Sequence, residues 1–159
     1  MSVTTDVTNN VYVSGEFTSP INITSLVNYG NLDALIIKYD SNGNILWAKC
    51  GGSGGNDNCV SVAVDGNQNS YITGYFASPY MYFGSNSISA DPNWNYADVY
   101  IAKFDNNGNF VWADRIGAGH TDEAYSLSSS QTNGVYLTGF FQSASITIGN
   151  DTLTNPNIG

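Results

Sequence analysis

Hydrophobic and polar positions alternate along much of this chain. Residues 59–64 read CVSVAV, with Val60, Val62 and Val64 set against Ser61 and Ala63. A period of two marks a strand with one face buried and the other turned away. Short runs of the same kind stand at 11–17 (VYVSGEF), 70–76 (SYITGYF) and 135–141 (VYLTGFF). Residues 32–40 (LDALIIKYD) and 97–105 (ADVYIAKFD) are apolar almost throughout, which suits strands buried on both faces. Long runs with apolar residues at i, i+3, i+4 and i+7 are absent, so the pattern predicts strands and no helices.

Turn residues separate the runs. Residues 38–48 read KYDSNGNILWA and residues 103–113 read KFDNNGNFVWA. Asn-Gly supplies the positive φ angles of a tight turn, so each phrase predicts a β-hairpin. Other phrases also recur. Tyr12, Tyr71 and Tyr136 are followed three residues on by Gly15, Gly74 and Gly139, at spacings of 59 and 65 residues. Trp47 and Trp112 recur at 65, as do Asp33 and Asp98. DNCVSVAVD (57–65) matches DEAYSLSSS (122–130), and FGSNSIS (83–89) matches IGNDTLT (148–154). The six-residue difference in period falls in SADPNWNYA, just before Asp98. A surface loop would absorb such an insertion.

One unit therefore holds four strands, at about 59–64, 71–76, 98–104 and 110–115 in the complete middle copy. Four antiparallel strands repeating at about 60 residues predict β-propeller blades, each burying its faces against the next. The expected fold is all-β, a single array over 1–159, with blade one at about 1–50, blade two at about 58–117 and a partial blade three at about 122–159. That makes about two and a half blades, where closed propellers have about four to eight. The bare end faces predict association, either within a longer chain or between copies. Trp47 and Trp112 are expected between blades, each burying on the order of 200 Å², worth roughly 4–6 kcal/mol.

The linked phrases DVYIAKFDNNGNFVWA and SVAVDGNQNSYITGYF, with a Gly-rich stretch and Asp57 between units, resemble the bacterial β-propeller repeat family, also called SBBP repeats. The resemblance extends over nearly the whole chain. It implies propeller blades, usually in large extracellular or surface proteins, and no shared catalytic residues. The third copy departs from the pattern. Its SLSSSQTNG lacks the Asp of SVAVDGNQN, and the sequence reaches NPNIG before phrases for its last two strands.

Composition narrows the partners. Four Lys plus Arg stand against thirteen Asp plus Glu, a net charge of −9. Nucleic-acid affinity comes largely from Lys and Arg on phosphates, and anionic membranes attract the same residues. Neither is an expected partner. No apolar run reaches the roughly 18 residues of a membrane span, and MSVTTDVTNN shows no basic-then-apolar secretory leader.

Each candidate for chemistry has a structural counter-reading. Asp40, Asn42 and Asn44, like Asp105, Asn107 and Asn109, place oxygens at alternate positions, as do Asp65, Asn67 and Asn69. This is the first half of a calcium loop, but position twelve holds Gly51 or Ile116 instead of Glu. Hairpin turns explain the same residues, so no metal and no cofactor are expected. CGGSGGNDN (50–58) lacks the Lys and helix of a phosphate loop and reads as a linker, like its counterpart RIGAGHTDE (115–123). Cys50 and Cys59 have Arg115 and Ala124 as repeat equivalents, and they are expected to be free thiols. His120, the single histidine, is expected in a solvated loop, and no paired-carboxylate signature is evident. Tyr80, Tyr82, Trp94 and Tyr96 flank the insertion. They are the candidate ligand-binding aromatics, able to stack on sugars or anchor a protein.

The reading is a non-enzymatic structural or protein-interaction module in an extracellular, cell-surface or virion assembly. Its expected partners are neighbouring blades or further copies of itself. The alternative is a lectin-like propeller that binds carbohydrate.

Overall fold

Repeated turn chemistry sets the architecture. In the computed structural model, residues 1–18, 23, 26–92, 96–132 and 134–157 are described. Asp40 and Asp105 begin matching turns: each backbone N–H bonds the carbonyl four residues on, at Asn44 and Asn109. Gly43 and Gly108 take the positive φ angles (85° and 77°) that close them. The described residues contain strands and turns and no helix.

The first sheet is antiparallel, in the order β1 (Ser2–Thr5), β2 (Val11–Phe17), β3 (Asp33–Tyr39), β4 (Ile45–Gly51). The second repeats it with β5 (Ser61–Val64), β6 (Ser70–Phe76), β9 (Asp98–Phe104) and β10 (Phe110–Ile116). Between β6 and β9 lies a separate hairpin, β7 (Tyr80–Phe83) and β8 (Asn86–Ser89). The third copy supplies β11 (Asp122–Ser129) paired with β12 (Val135–Phe141), then the hairpin β13 (Ser145–Ile148) and β14 (Asp151–Thr154). Propeller-like four-stranded blades are therefore present. The expected unit of four strands omits the inserted hairpin, whose turns close on Gly84 (φ 65°) and Gly149 (φ 60°).

The core lies between sheets. Tyr12, Ala34 and Ile36 of the first sheet join Val62, Ile72, Phe76, Tyr100 and Phe104 of the second in one buried cluster, with Met81 and Phe83 of the inserted hairpin. Ala63, Tyr71 and Ile101 pack in turn with Leu127 of β11. A single twisted sheet cannot bury both faces, so each blade completes its neighbour. The recurring glycine of the second strand has a steric role. A Cβ on Gly74 would lie 2.0 Å from the Asn58 carbonyl oxygen, and one on Gly139 would lie 2.2 Å from that of Glu123. The neighbouring chain thus runs tight against the glycine, leaving no room for a side chain. At Gly15 the near neighbour is the flexible Met1 side chain.

Candidate interaction surface

Strand register brings three recurring residues into a row. Tyr12 pairs with Lys38, and Lys38 with Trp47; Tyr71 pairs with Lys103, and Lys103 with Trp112. The ladder shifts register beside each Trp, leaving Leu46 and Val111 unpaired. Such a bulge re-aims the following side chain. Each Lys ammonium then sits 5.0 Å from the centre of its Tyr ring, within cation–π range. Each Trp meets the same Tyr edge-on, with centroids 5.9 Å and 6.2 Å apart.

An Asp anchors each row. Asp6 Oδ1 accepts from the Thr8 and Asn10 backbone N–H groups at 2.9 and 3.0 Å, and Asp65 does the same with Asn67 and Asn69 at 2.9 Å. Tyr71 donates to Asp65 at 3.0 Å and Tyr12 to Asp6 at 3.3 Å. Burial raises the Asp6 pKa, but hydrogen bonds from Asn10 and Thr8 outweigh it and hold the carboxyl at about 2. Burial lowers the pKa of Lys38, opposed by Asp6 at 3.7 Å.

The two rows differ in what covers them. Trp47 Nε1 donates to the Asn106 carbonyl of the second blade's turn at 3.0 Å. Lys38 donates to the same carbonyl at 3.4 Å and also to Asn106 Oδ1. The first row is thus a seat holding the next blade's Asp-Asn-Asn-Gly-Asn turn. A Cβ on Gly108 would lie 2.7 Å from the Trp47 ring, so the turn lies flat on the indole. The second seat has no such turn among the described residues, and Trp112 is 39% exposed. The burial expected for both tryptophans is realised more fully at Trp47.

Tyr136 is 64% exposed, whereas its equivalent Tyr71 is 2% exposed. Ser130 stands where Asp65 stands in the second blade, and its hydroxyl accepts from Gly134 N–H at 2.9 Å. A cleft of about 220 Å³ opens between the second and third blades, lined by Val99, Leu137, Phe141, Ile146, Ile148 and Leu153 among others.

The other candidate residues fall elsewhere. Tyr80 and Tyr82 project from one side of β7, exposed, with ring centroids 6.2 Å apart. Tyr96 stacks on the exposed His120 at 5.4 Å. Trp94 lies outside the described residues. The structure therefore brings Tyr80 to Tyr82, and Tyr96 to His120. In the calcium-like turns, Asp40 accepts from Asn42 N, Asn44 N and Asn44 Nδ2 at 2.8–2.9 Å. Asp105 repeats the pattern with Asn107 and Asn109. Hydrogen bonds from the Asn44 and Asn109 side chains lead the lowering of both aspartate pKa values. Among the described residues no three His, Cys, Asp or Glu side chains are grouped to hold a metal ion. Cys50 and Cys59 are free thiols whose pKa burial raises.

Sequence reasoning missed the carboxylates between blades. Asp33 and Asp57 are fully buried at the first junction, and Asp98 and Asp122 are 1% exposed at the second. Gly117 shows how close the second pair is: its Cβ would lie 2.4 Å from Asp98 Oδ1 and 3.1 Å from Asp122 Oδ2. Each carboxylate clips a loop. Asp33 accepts from Tyr29 N–H, Asp57 from Ser53 N–H at 2.6 Å and Asp98 from Asp91 N–H at 2.7 Å. Asp122 accepts from Ala118, Gln142 and Ser143. Burial, with Asp33 adding, raises the Asp57 pKa to about 6 against the Ser53 and Ser78 hydrogen bonds. Burial likewise raises Asp33 and Asp98. All four carboxylates thus fasten linkers between blades, while Oδ1 of Asp33, Asp57 and Asp98 is buried with no hydrogen-bond partner among the described residues. The recurrence of Asp33 as Asp98 was the available signal, but sequence spacing does not reveal that Asp57 lies across from it.

Residues 50–75 match the β-propeller repeat family, SBBP. The chain is also similar to an uncharacterized WD repeat-containing protein of Acanthamoeba polyphaga mimivirus, 32% identical over 114 residues. That match takes in 64% of this chain and 8% of the relative's length.

Proposed function

From a chain that carries the SBBP β-propeller repeat, we propose a non-enzymatic protein-interaction module whose blades pack against neighbouring blades through apolar faces. The observation that carries the reading is the contrast between Tyr71, buried under its Lys and Trp, and Tyr136, bare at the equivalent point. Exposed Ile148 and Leu153 extend the apolar face, and such faces are contact sites. The buried carboxylates serve loops, and the single histidine stacks on a tyrosine. Both features support a role without catalysis. Resemblance to a viral protein favours a virion or surface assembly as the setting.

Sedimentation over a range of micromolar concentrations tests the module. The expected mass rises above the 17.0 kDa of one chain, and Ile148→Asp with Leu153→Asp returns it to one chain. A single-chain mass throughout, unchanged by those substitutions, contradicts contact between copies through this face. A carbohydrate-binding reading rests on Tyr80 and Tyr82, whose exposed rings lie 6.2 Å apart. Glycan-array binding that disappears in Tyr82→Ala would favour it.

A further inference from the structure

We infer that the junction between the first and second blades binds a calcium ion, held by the carboxylates of Asp33 and Asp57. Both residues are 0% exposed, and buried ionised carboxylates need a counter-charge. Such an ion is structural, and it acts whether or not the module has a partner.

The two carboxylates meet on one stretch of backbone. Asp33 opens β3, and Asp57 lies in the linker that follows β4. Leu32 and Asn56 form a parallel bridge, and Asp57 N–H donates to the Leu32 carbonyl at 2.7 Å. Gly52 and Ser53 touch both acids. A Cβ on Gly52 would lie 2.0 Å from Asp33 Oδ1, and Ser53 N–H donates to Asp57 Oδ2 at 2.6 Å. The second junction repeats the arrangement. There Gly117 lies against Asp98 Oδ1 and Asp122 Oδ2, and Ala118 N–H donates to Asp122 Oδ2 at 3.0 Å.

Asp33 Oδ1, aimed at this linker, is buried with no hydrogen-bond partner among the described residues, and so is its repeat equivalent, Asp98 Oδ1. Asp57 Oδ1 is unpartnered as well. Buried polar oxygens are almost always paired. An unpartnered carboxylate oxygen at the same position in two blades therefore points to a ligand that recognises negative charge.

The cations of the chain itself are committed elsewhere. Of the four Lys plus Arg, Lys38 pairs with Asp6, Lys103 with Asp65 and Arg115 with Asp98. Lys49 lies beside Gly108 and Asp105, and the single histidine stacks on Tyr96. The junctions differ at one position. Arg115 Nη1 stands 3.4 Å from Asp98 Oδ2 and donates to the Gly117 carbonyl at 2.8 Å. Its repeat equivalent is Cys50, whose thiol donates to the Val27 carbonyl at 3.3 Å. The second junction thus carries a guanidinium and the first does not. Carboxylates beside backbone carbonyls form a hard, all-oxygen donor set, which suits calcium rather than zinc. Calcium takes about 6–8 oxygens in adaptable arrangements. Two carboxylates therefore suffice when carbonyls of the 52–55 linker and water complete the shell.

Isothermal titration of calcium chloride into chelator-treated protein at neutral pH tests the site. The expected result is one ion per chain, half-saturated at about 0.1 mM, the weak range that two carboxylates imply. The melting temperature should rise by about 5–10 °C between EDTA and about 5 mM calcium. Asp57→Asn keeps the side chain's shape and should remove both responses. Cys50→Arg is the second variant, should the first fail to fold. It sets a guanidinium where Arg115 stands in the other junction, and should weaken calcium binding by at least about tenfold. Asp40→Asn combined with Asp105→Asn, in the hairpin turns, should leave both responses as they are. No heat and no melting shift would mean that a proton shared by the two acids neutralises the pair, and the calcium assignment is wrong. A response that survives Asp57→Asn, or that disappears with the turn variants, would place the ion elsewhere and overturn the assignment too. Either failure leaves the interaction module standing, since sedimentation tests that reading separately.

Discussion

Lys38→Ala lowers stability by about 3–5 kcal/mol, whereas Lys103→Ala lowers it by about 1 kcal/mol. The two lysines share strand register and lie at the same 5.0 Å over their tyrosines. They differ in what closes over them. Lys38 has a side chain only 4% exposed, 3.7 Å from Asp6, with Asn106 of the next blade as a further acceptor. Removing it leaves Asp6 buried without its cation and releases the neighbouring turn. Lys103 is 19% exposed and 4.0 Å from Asp65, so water replaces much of what it loses. In a chain of this size the Lys38 variant should melt about 6–20 °C lower. Thermal unfolding of both variants decides the matter, and equal losses would mean that the Asn106 turn adds nothing to the first seat.

Phe83→Ala is the second large loss, expected at about 3–5 kcal/mol. Phe83 is 4% exposed and meets Tyr100, Phe104 and Phe110, the last stacked at 5.5 Å. It also presses on the preceding blade, where a Cβ on Gly51 would lie 2.4 Å from the ring. Truncation leaves a cavity at the junction of two blades, which rigid sheets cannot collapse to fill. The equivalent Ile148 is 45% exposed, and Ile148→Ala should cost less than about 1 kcal/mol. Denaturant titration measures both. A large loss at Ile148 in dilute protein would show that its face is already covered.

The parts legible in the sequence were those set by local chemistry. Asn-Gly turns placed the hairpins, and the alternation at Val60, Val62 and Val64 marked the edge strand β5, although it begins at Ser61 rather than Cys59. Recurrence of Tyr71 and Gly74 revealed the repeat. The β7–β8 hairpin was not legible, because NSIS has little apolar alternation and its burial comes from Met81 and Phe83 on the other strand. The seat was half legible. Lys38 and Trp47 recur visibly as Lys103 and Trp112, but their meeting depends on bulges at Leu46 and Val111 that no propensity announces. The unequal exposure of the two tryptophans was beyond reach, since it depends on a turn contributed by a different blade. The paired aspartates were hidden for the same reason.

The most direct test of turn-on-seat packing is hydrogen exchange at the indole N–H groups, assigned with Trp47→Phe and Trp112→Phe. In dilute protein the Trp47 proton, held by the Asn106 carbonyl, should exchange at least about tenfold more slowly than that of Trp112. Equal, rapid exchange at both would contradict the seated turn, and with it the packing of blade on blade.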